Sequence, residues 1–207
     1  MNRPFSQACE NNREAIFAIL QRIFADRTRV LEIGSGTGQH ATAFAPCLPH
    51  LIWQTSDLPK NHPGIEQWIT SASTPNLLLP VALNVNDKPW PVEPVDGVFS
   101  ANTFHIMPWA SVQHFFSGLA SVLSTGGILA IYGPFNYDGA YTSPSNARFD
   151  QWLKDRDPAQ GIRNFEAVNA LAREQGLILK EDNEMPANNR LLVWKHGGDR
   201  SWERGNL

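Results

Sequence analysis

The stretch Glu32-Ile33-Gly34-Ser35-Gly36-Thr37-Gly38 places three glycines where an apolar strand gives way to a helical pattern. Glycine lets the backbone adopt left-handed conformations, and it lets a ligand approach the main chain closely. In an open α/β sheet, ligands bind beyond the carboxyl ends of the strands, which is where such a turn lies. The stretch therefore predicts an α/β fold with a ligand site at this turn.

The residues around the glycines exclude two common phosphate-binding loops. A dinucleotide-binding fingerprint would place Gly or Ala at position 39, where this chain has Gln39. No Gly-Lys-Ser/Thr follows, as it does in an NTPase loop. Glu32 would repel a pyrophosphate, whereas its carboxylate suits a ligand with an ammonium or a sulfonium charge. S-adenosylmethionine (SAM) carries both charges, and we predict it as the cofactor.

Asp57 supports the same prediction from the end of the next strand, 25 residues after Glu32. From there its carboxylate can accept hydrogen bonds from both ribose hydroxyls, as an acidic residue does in dinucleotide folds. An isolated Asp at such a position is more often a helix cap or a solvated loop residue, and the nearby glycine loop favours the binding role. The predicted cofactor contacts on this side are Glu32, Gly34, Ser35, Gly36, Gly38, Asp57 and Leu58.

Short apolar strands alternate with helical stretches along the chain, which is typical of an α/β protein. The last two strands follow each other without a helix between them, so we expect an antiparallel pair. The pattern predicts one open Rossmann-like sheet with helices on both faces. The seven predicted strands cover residues 29–33, 51–56, 78–82, 95–100, 128–132, 177–180 and 191–195, and the predicted helices cover 13–25, 39–45, 64–71, 109–123, 144–155 and 165–175.

The composition restricts the classes of protein that remain. The chain has 207 residues, 42% of them hydrophobic, which suits one compact domain. A net charge of −3 without a basic run argues against a nucleic-acid partner, and apolar stretches are far shorter than the roughly 20 residues of a membrane span. Cys9 and Cys47 have neither metal-type nor disulfide-scaffold spacing. We expect a cytoplasmic protein without a metal site; the oligomeric state is not predicted.

Several further motifs resemble one branch of the class I SAM-dependent methyltransferases, the methyltransferase-like protein twenty-six family, long catalogued as a domain of unknown function. The likeness spans about residues 5–195 and implies the seven-stranded methyltransferase sheet. From the predicted topology and the polar ends we expect a lid segment (1–12), a SAM-binding domain (13–195) and a polar tail (196–207). The motifs are Asn11-Asn12-Arg13-Glu14, Asn102-Thr103-Phe104-His105-Ile106, Tyr132-Gly133-Pro134-Phe135, Ser143-Pro144-Ser145-Asn146 with Phe149-Asp150, Asp157-Pro158, Gly161-Ile162-Arg163 and Met185-Pro186-Ala187-Asn188-Asn189.

The segment after the third strand departs from this branch. The resemblance implies that the segment lies against the adenine, with a side-chain acceptor for the exocyclic amine and a backbone amide for a ring nitrogen. The branch commonly has Leu-Asp-Val here, and this chain has Leu83-Asn84-Val85. Asn84 still offers an acceptor oxygen, and Asp87 is the rival for that role. We predict cofactor contacts from Asn84 and Val85.

Strands one to six, if parallel, direct the segments that leave them toward the cofactor. These segments and the start of the first helix are therefore the predicted acceptor pocket. His105 is the general-base candidate, because the pKa of histidine lies near neutrality; packing or helix capping is the alternative. Asn102 can orient either the cofactor or the acceptor. The predicted acceptor-binding residues are Asn11, Arg13, His105, Tyr137, Tyr141, Asn146, Asn188 and Asn189; Asn188 and Asn189 can equally be plain turn residues.

These observations predict a SAM-dependent methyltransferase that acts on a small molecule by in-line displacement, in which positioning supplies much of the acceleration. A SAM-binding module that acts through a partner without turnover is the first alternative. Methylation of protein or RNA is the second, and the absence of a basic run disfavours it. The sequence does not indicate whether oxygen, nitrogen or sulfur accepts the methyl group.

Overall fold

The computed structural model describes residues 3–197. Its strands are β1 Arg29–Ile33, β2 Ile52–Asp57, β3 Leu77–Ala82, β4 Val95–Ala101, β5 Leu123–Gly133, β6 Phe135–Asn136, β7 Arg163–Asn164, β8 Leu177–Met185 and β9 Asn189–His196. Seven of them form one sheet in the order β3-β2-β1-β4-β5-β9-β8, and β6 pairs with β7 alone. β9 is antiparallel to both of its neighbours, and the other ladders of the large sheet are parallel. The predicted Rossmann-like methyltransferase sheet with an antiparallel final pair is confirmed.

In the part of the chain that the structure describes, six α-helices flank the sheet: α1 Gln7–Ile23, α2 Gln39–Phe44, α3 His62–Ala72, α4 Trp109–Leu119, α5 Pro144–Arg156 and α6 Phe165–Glu174. The predicted start of α5 is confirmed, because the Ser143 hydroxyl accepts a hydrogen bond from the Asn146 N–H and Pro144 occupies the first turn. Gly176 follows α6 with φ +74°, the left-handed conformation typical of a helix end. Local sequence signals therefore fix these two boundaries.

Alternate residues of the central strands are buried on opposite faces of the sheet. Val30 packs in a cluster with residues of α1 and α2, whereas Leu31 packs in a second cluster with residues of α4 and α6. Trp53, Phe44 and Phe99 contact one another edge to face on the first side. Helices thus cover both faces of the sheet, and the strand ends remain available for a site.

The structure corrects several predicted boundaries. α1 begins at Gln7, six residues before the predicted start, because the Ser6 hydroxyl caps it by accepting from the Cys9 N–H. The second half of the predicted lid segment is therefore helical. α4 ends at Leu119, and β5 begins at Leu123 instead of residue 128. β8 continues to Met185 through polar residues that the apolar pattern did not include.

The structure describes the first two residues of the predicted tail, residues 196 and 197. His196, predicted as the first residue of the tail, belongs to β9, and residues 198–207 of that tail lie outside the described residues. Within residues 3–197, none of the helices has the length and apolar character needed to cross a lipid bilayer.

Candidate active site

A cavity of about 940 Å³ opens where the parallel strands end. It is lined by residues at or just beyond the carboxyl ends of five strands: Ile33, Asp57, Leu83, Ala101 and Pro134. Its volume is at the upper end of the range of roughly 300–1,000 Å³ for small-molecule sites. The position agrees with the rule that ligands of open α/β sheets bind beyond the strand ends.

Glycine stands at the three positions of the loop for different structural reasons. Gly34 has φ +76°, and a Cβ there would lie 2.5 Å from the Thr103 Cγ2. Gly36 has φ +59°, and a Cβ there would meet no atom within 4 Å. Both line the cavity with Ser35. Gly38 lies outside the lining, because it precedes α2 and packs against Ile65 of α3. Only the first two glycines are therefore placed to let a ligand approach the backbone.

Asp57 ends β2 at the cavity wall, and three donors of the protein hold its carboxylate. The N–H of Gly36 donates to Oδ2 at 2.7 Å, and the N–H of Leu58 and the amide of Asn61 donate to Oδ1 at 2.7 and 2.8 Å. A carboxylate has about four lone-pair sites. One ribose hydroxyl can therefore bind without rearrangement, and a second requires one of these donors to give way.

Glu32 lies beneath the glycine loop and is absent from the cavity lining. Its side chain is 2% exposed and accepts from the Ser35 hydroxyl at 3.0 Å and from the Trp53 indole N–H at 3.2 Å. Burial raises the pKa of Glu32 to about 7. The structure therefore differs from the expectation that Glu32 faces the ligand: its carboxyl group supports the loop from below.

The segment after β3 supplies the wall at which the adenine was expected. Asn84 and Val85 line the cavity, and Asn86 joins them. The Asn84 Oδ1 accepts from the Asn86 N–H at 3.1 Å, which fixes the side chain. Asp87 lies outside the lining. Of the two candidates for the adenine contact, the geometry favours Asn84.

His105, on the loop after β4, also lines the cavity and is 7% exposed. Its ring meets Phe149 edge to face, with centroids 5.3 Å apart, and within residues 3–197 no hydrogen bond to the ring is formed. Burial and the positive charge of Arg163 lower the pKa of His105 to about 4. The imidazole is therefore neutral at pH 7, and its acceptor nitrogen is free to accept a hydrogen bond.

The loop that carries His105 is held by backbone contacts. Asn102 has φ +58°, and its N–H donates to the Tyr132 carbonyl at 2.8 Å. The Arg163 guanidinium donates to the carbonyls of Phe104, at 3.0 Å, and Met107. The Gly161 N–H donates to the His105 carbonyl at 2.9 Å. These bonds present the Asn102 and His105 side chains at the cavity wall.

The start of α5 and the turn between β8 and β9 form the remaining wall. The Asn146 amide N–H₂ donates to the Asn188 carbonyl at 3.0 Å and to the Thr142 hydroxyl at 2.9 Å. The Asn188 amide donates to the Ser145 hydroxyl at 3.3 Å. Asn146, Asn188 and Asn189 all line the cavity, as the sequence predicted. The predicted pocket segments therefore meet in one place.

Comparison with known proteins places the chain in a family. Residues 3–196 match the model of a family described as a protein of unknown function, DUF938. The chain belongs to this family. The matched residues include the glycine loop, Asp57, the His105 loop and the turn at Asn188, so the whole cavity of this DUF938 protein is built from the shared region.

Solved structures of O-methyltransferases have the same fold. An O-methyltransferase family protein from Burkholderia thailandensis matches with a TM-score of 0.79 and 17% identity, over 90% of this chain and 57% of its own length. A family 2 O-methyltransferase from Planctomyces limnophilus, solved with apigenin, gives 0.73 and 16%, over 91% and 57%. An O-methyltransferase of neocarzinostatin biosynthesis, solved with SAM and 2-hydroxy-5-methyl naphthoic acid, gives 0.74 and 15%, over 91% and 54%.

The DUF938 chain spans a little over half the length of these structures. At such identities the likeness concerns the fold, which is that of the SAM-dependent methyltransferases.

Four predicted acceptor residues of the DUF938 chain lie outside the cavity lining. Asn11 accepts from the Gln7 amide, and Arg13 pairs with Glu10 at 3.0 Å. The hydroxyl of Tyr137 donates to Asp182 at 2.7 Å, and that of Tyr141 donates to Asp150 at 2.6 Å. The structure thus brings Asn102, His105, Asn146, Asn188 and Asn189 together and leaves these four apart.

Other cavity residues of the DUF938 chain were not predicted. His40, expected to be solvated or to cap a helix, is buried at the wall with its Nε2 2.7 Å from the Asn12 Oδ1, and burial lowers its pKa to about 4. Ser6, Ala8 and Cys9 also line the cavity, so the predicted lid contributes to the wall. No sequence spacing links His40 to Asn12, because the contact joins α2 to α1.

Among the described residues, no group of three or more His, Cys, Asp and Glu side chains is arranged to hold a metal ion.

Proposed function

We propose that this DUF938 protein is a SAM-dependent methyltransferase that acts on a small molecule. One observation carries the proposal: a single cavity joins the glycine loop and Asp57 to a buried, neutral His105. The fold shared with O-methyltransferases supports it, and the motifs quoted above support the finer assignment to the methyltransferase-like protein twenty-six family.

The residues present fit the proposed cofactor. Open space over Gly36 leaves its backbone accessible, and the held carboxylate of Asp57 has an acceptor site for a ribose hydroxyl. Asn84 and Val85 form the wall for the adenine. Glu32 contributes through the loop beneath which it is buried, and Gly38 through its packing on α3. Asn102 follows β4, the strand beside β1 and its glycine loop, on the loop that also carries His105, where it can orient either ligand.

The chain contributes positioning, exclusion of water and a proton acceptor to the reaction. Bound SAM supplies a methyl group on a positively charged sulfur. The neutral imidazole of His105 can take the proton that a hydroxyl acceptor loses as the methyl group is transferred, and its lowered pKa makes it a weaker base than an ordinary histidine. Burial within the cavity keeps bulk water from His105, and Phe149 and Arg163 fix the ring and the loop that carries it. This arrangement suits in-line displacement, in which orientation supplies much of the acceleration.

The proposed acceptor is a small molecule, because the cavity has the volume of a small-molecule site and the chain has a net charge of −3. Nucleic acid is not a proposed partner, since its backbone requires a basic surface. Both cysteines are free, which supports the cytoplasm as the proposed location.

Calorimetry with SAM tests the cofactor assignment. We expect the wild-type protein to bind SAM and the Asp57→Ala variant to bind about 100-fold more weakly, because the change removes the hydroxyl acceptor and frees the Gly36 N–H. Asp155→Ala is the matched control, since Asp155 pairs with Gln151 on α5 away from the cavity. The absence of heat with SAM and with its demethylated product contradicts the proposal.

Methyl-labelled SAM added to a metabolite extract tests turnover. We expect label in a small molecule, and about 100-fold slower transfer by His105→Ala with SAM affinity retained, since general-base catalysis contributes about that much. Label found solely in protein or RNA contradicts the small-molecule assignment. Normal transfer by His105→Ala means that His105 packs and does not act as a base.

A further inference from the structure

The acceptor end of the cavity differs from the cofactor end in its charges. Among the described residues that line the cavity, Asp57 and Lys60 are the two with a charge at neutral pH; Asp57 ends β2, and Lys60 lies in the turn that follows it. The acceptor end is lined by Asn102, His105, Asn146 and Asn188. Burying an ionised group without an opposite charge is costly, because the group loses its hydration. This end of the cavity therefore disfavours an acceptor with a carboxylate or an ammonium group.

Two charged residues lie behind this wall, and both are satisfied by the protein. Arg163 donates to three backbone carbonyls, those of Phe104, Met107 and Ala159. Asp150 accepts from the Tyr141 hydroxyl, the Lys154 ammonium and the Ile162 N–H. Neither side chain lines the cavity. Their hydrogen-bonding groups are used within the protein, so neither side chain is placed to pair directly with a bound ion.

Among the described residues, two acceptor atoms at this end have no hydrogen-bond partner. The Asn146 N–H₂ donates to the Asn188 backbone carbonyl, which can only accept, so the orientation of the Asn146 amide is fixed. Its Oδ1 has no hydrogen-bond partner among residues 3–197. The neutral ring of His105 has one acceptor nitrogen and one N–H, neither with a partner among the described residues, and it is more than nine-tenths buried. A ligand that satisfies the Asn146 Oδ1 and the acceptor nitrogen of His105 must donate hydrogen bonds.

The start of α5 does not reverse this preference. The Ser143 hydroxyl accepts the hydrogen bond of the Asn146 N–H, and Pro144 has no N–H that could bind an anion. Apolar side chains of Ile106, Met107 and Phe149 complete the wall. The surface thus combines unpaired polar atoms, among them the acceptors of Asn146 and His105, with apolar side chains.

We propose that the acceptor end of the cavity binds an uncharged molecule with an apolar body that donates hydroxyl hydrogen bonds to His105 and to the Asn146 Oδ1. This inference rests on the proposed function in that it treats the ligand as the methyl acceptor. It excludes carboxylate and ammonium acceptors, which small-molecule methyltransferase activity alone does not.

Three probes with one ring system separate charge from hydrogen bonding: naphthol, methoxynaphthalene and naphthoate, substituted at the same ring position. Binding is measured by ligand-observed NMR with S-adenosylhomocysteine present. We expect naphthol to bind about tenfold more tightly than either of the others, because methoxynaphthalene has no donor and naphthoate brings an uncompensated charge. Equal or tighter binding of methoxynaphthalene or naphthoate, or no binding of naphthol at millimolar concentration, overturns the proposal.

Ser145→Lys sharpens the test, because the exposed Ser145 lines the cavity one residue before Asn146. The new ammonium group should raise the affinity for naphthoate about tenfold. Gln151→Lys adds the same charge to α5 outside the cavity lining and should leave the order of the probes unchanged. Equal effects of the two lysines place the probe elsewhere.

SAM calorimetry separates this proposal from the previous one. Retained preference for naphthol without SAM binding contradicts the methyltransferase proposal alone. SAM binding with no preference for naphthol contradicts this inference alone.

Discussion

The two ends of the cavity differ in how completely the protein satisfies its own polar groups. At the cofactor end, Ser35 and Trp53 donate to Glu32, and three donors hold Asp57. At the acceptor end, the His105 ring and the Asn146 Oδ1 have no partner among the described residues. The first end is preorganised by its own hydrogen bonds, and the second keeps binding capacity for its ligand.

Backbone strain shows the same contrast. The cofactor end places Gly34 and Gly36 in the left-handed region, where glycine is at no disadvantage. The acceptor end places Asn102, Ala187 and Asn188 at φ +58°, where a side chain costs about 1–2 kcal/mol. Strain of this kind persists where the surrounding structure holds the residue, and it concentrates at binding sites.

The largest expected effect is a loss of SAM affinity at the cofactor end of the cavity. Gly36→Val places a branched side chain in the open space above the loop, and we expect SAM affinity to fall more than about 100-fold because the backbone becomes inaccessible. The measurement is calorimetry with SAM.

Gly126→Val is the control for strain. Gly126 has φ +79°, and a Cβ there, like one at Gly36, would meet no atom within 4 Å, yet Gly126 lies in β5 outside the cavity lining. Both variants should lose a similar amount of stability, and SAM affinity should fall in Gly36→Val alone. An equal loss of affinity in both variants means that strain, and not position, explains the result.

The next predicted effect concerns how Glu32 at the cofactor end and His105 at the acceptor end make the stability of the fold depend on pH. The folded-state pKa of Glu32 is raised to about 7, so this residue stabilises the fold at low pH and loses that contribution as the pH rises through 7. The folded-state pKa of His105 is lowered to about 4, so its contribution is present above the ordinary value of 6.5 and is lost as the pH falls through 4. The two residues therefore change stability in opposite directions between about pH 5 and pH 7.

The variants Glu32→Gln and His105→Gln each remove one of these opposite pH dependences of the unfolding free energy. Between about pH 5 and pH 7, Glu32→Gln should make the unfolding free energy rise by about 2 kcal/mol more than in the wild type, and His105→Gln by about 2 kcal/mol less. Urea denaturation across this pH range measures both. His40 adds the same slope to each protein, so the comparison does not depend on it. Parallel curves for the wild type and both variants contradict the assignment.

The sequence predicted the cofactor end better than the acceptor end, for a local reason. Residues 32–38 run from the end of β1 through a single loop, and Asp57 ends the adjacent strand, so spacing and strand order place them together. The sheet and the caps of α5 and α6 follow from similarly local patterns. The direction of Glu32 was missed, because its burial depends on the Trp53 indole from the neighbouring strand.

The acceptor end depends on contacts between distant parts of the chain. Asn146 donates a hydrogen bond to the carbonyl of Asn188, which is 42 residues away in sequence. Arg163 donates to the carbonyl of Phe104, which is 59 residues away. Motif resemblance identified the segments, and topology placed them on the correct side of the sheet. Which side chains face the cavity is set by these long-range bonds, so His40 was missed.

The smallest expected effect concerns Tyr137 and Tyr141, which the sequence assigned to the acceptor end. Their hydroxyls donate to Asp182 and Asp150 outside the cavity lining. Tyr137→Phe and Tyr141→Phe should each lower the unfolding free energy by about 1 kcal/mol, the contribution of one hydrogen bond, and should leave naphthol affinity unchanged. Denaturation and ligand-observed NMR measure the two quantities. A tenfold weaker affinity in either variant would extend the acceptor end to that tyrosine, since a loss of this size corresponds to about 1.4 kcal/mol of direct contact.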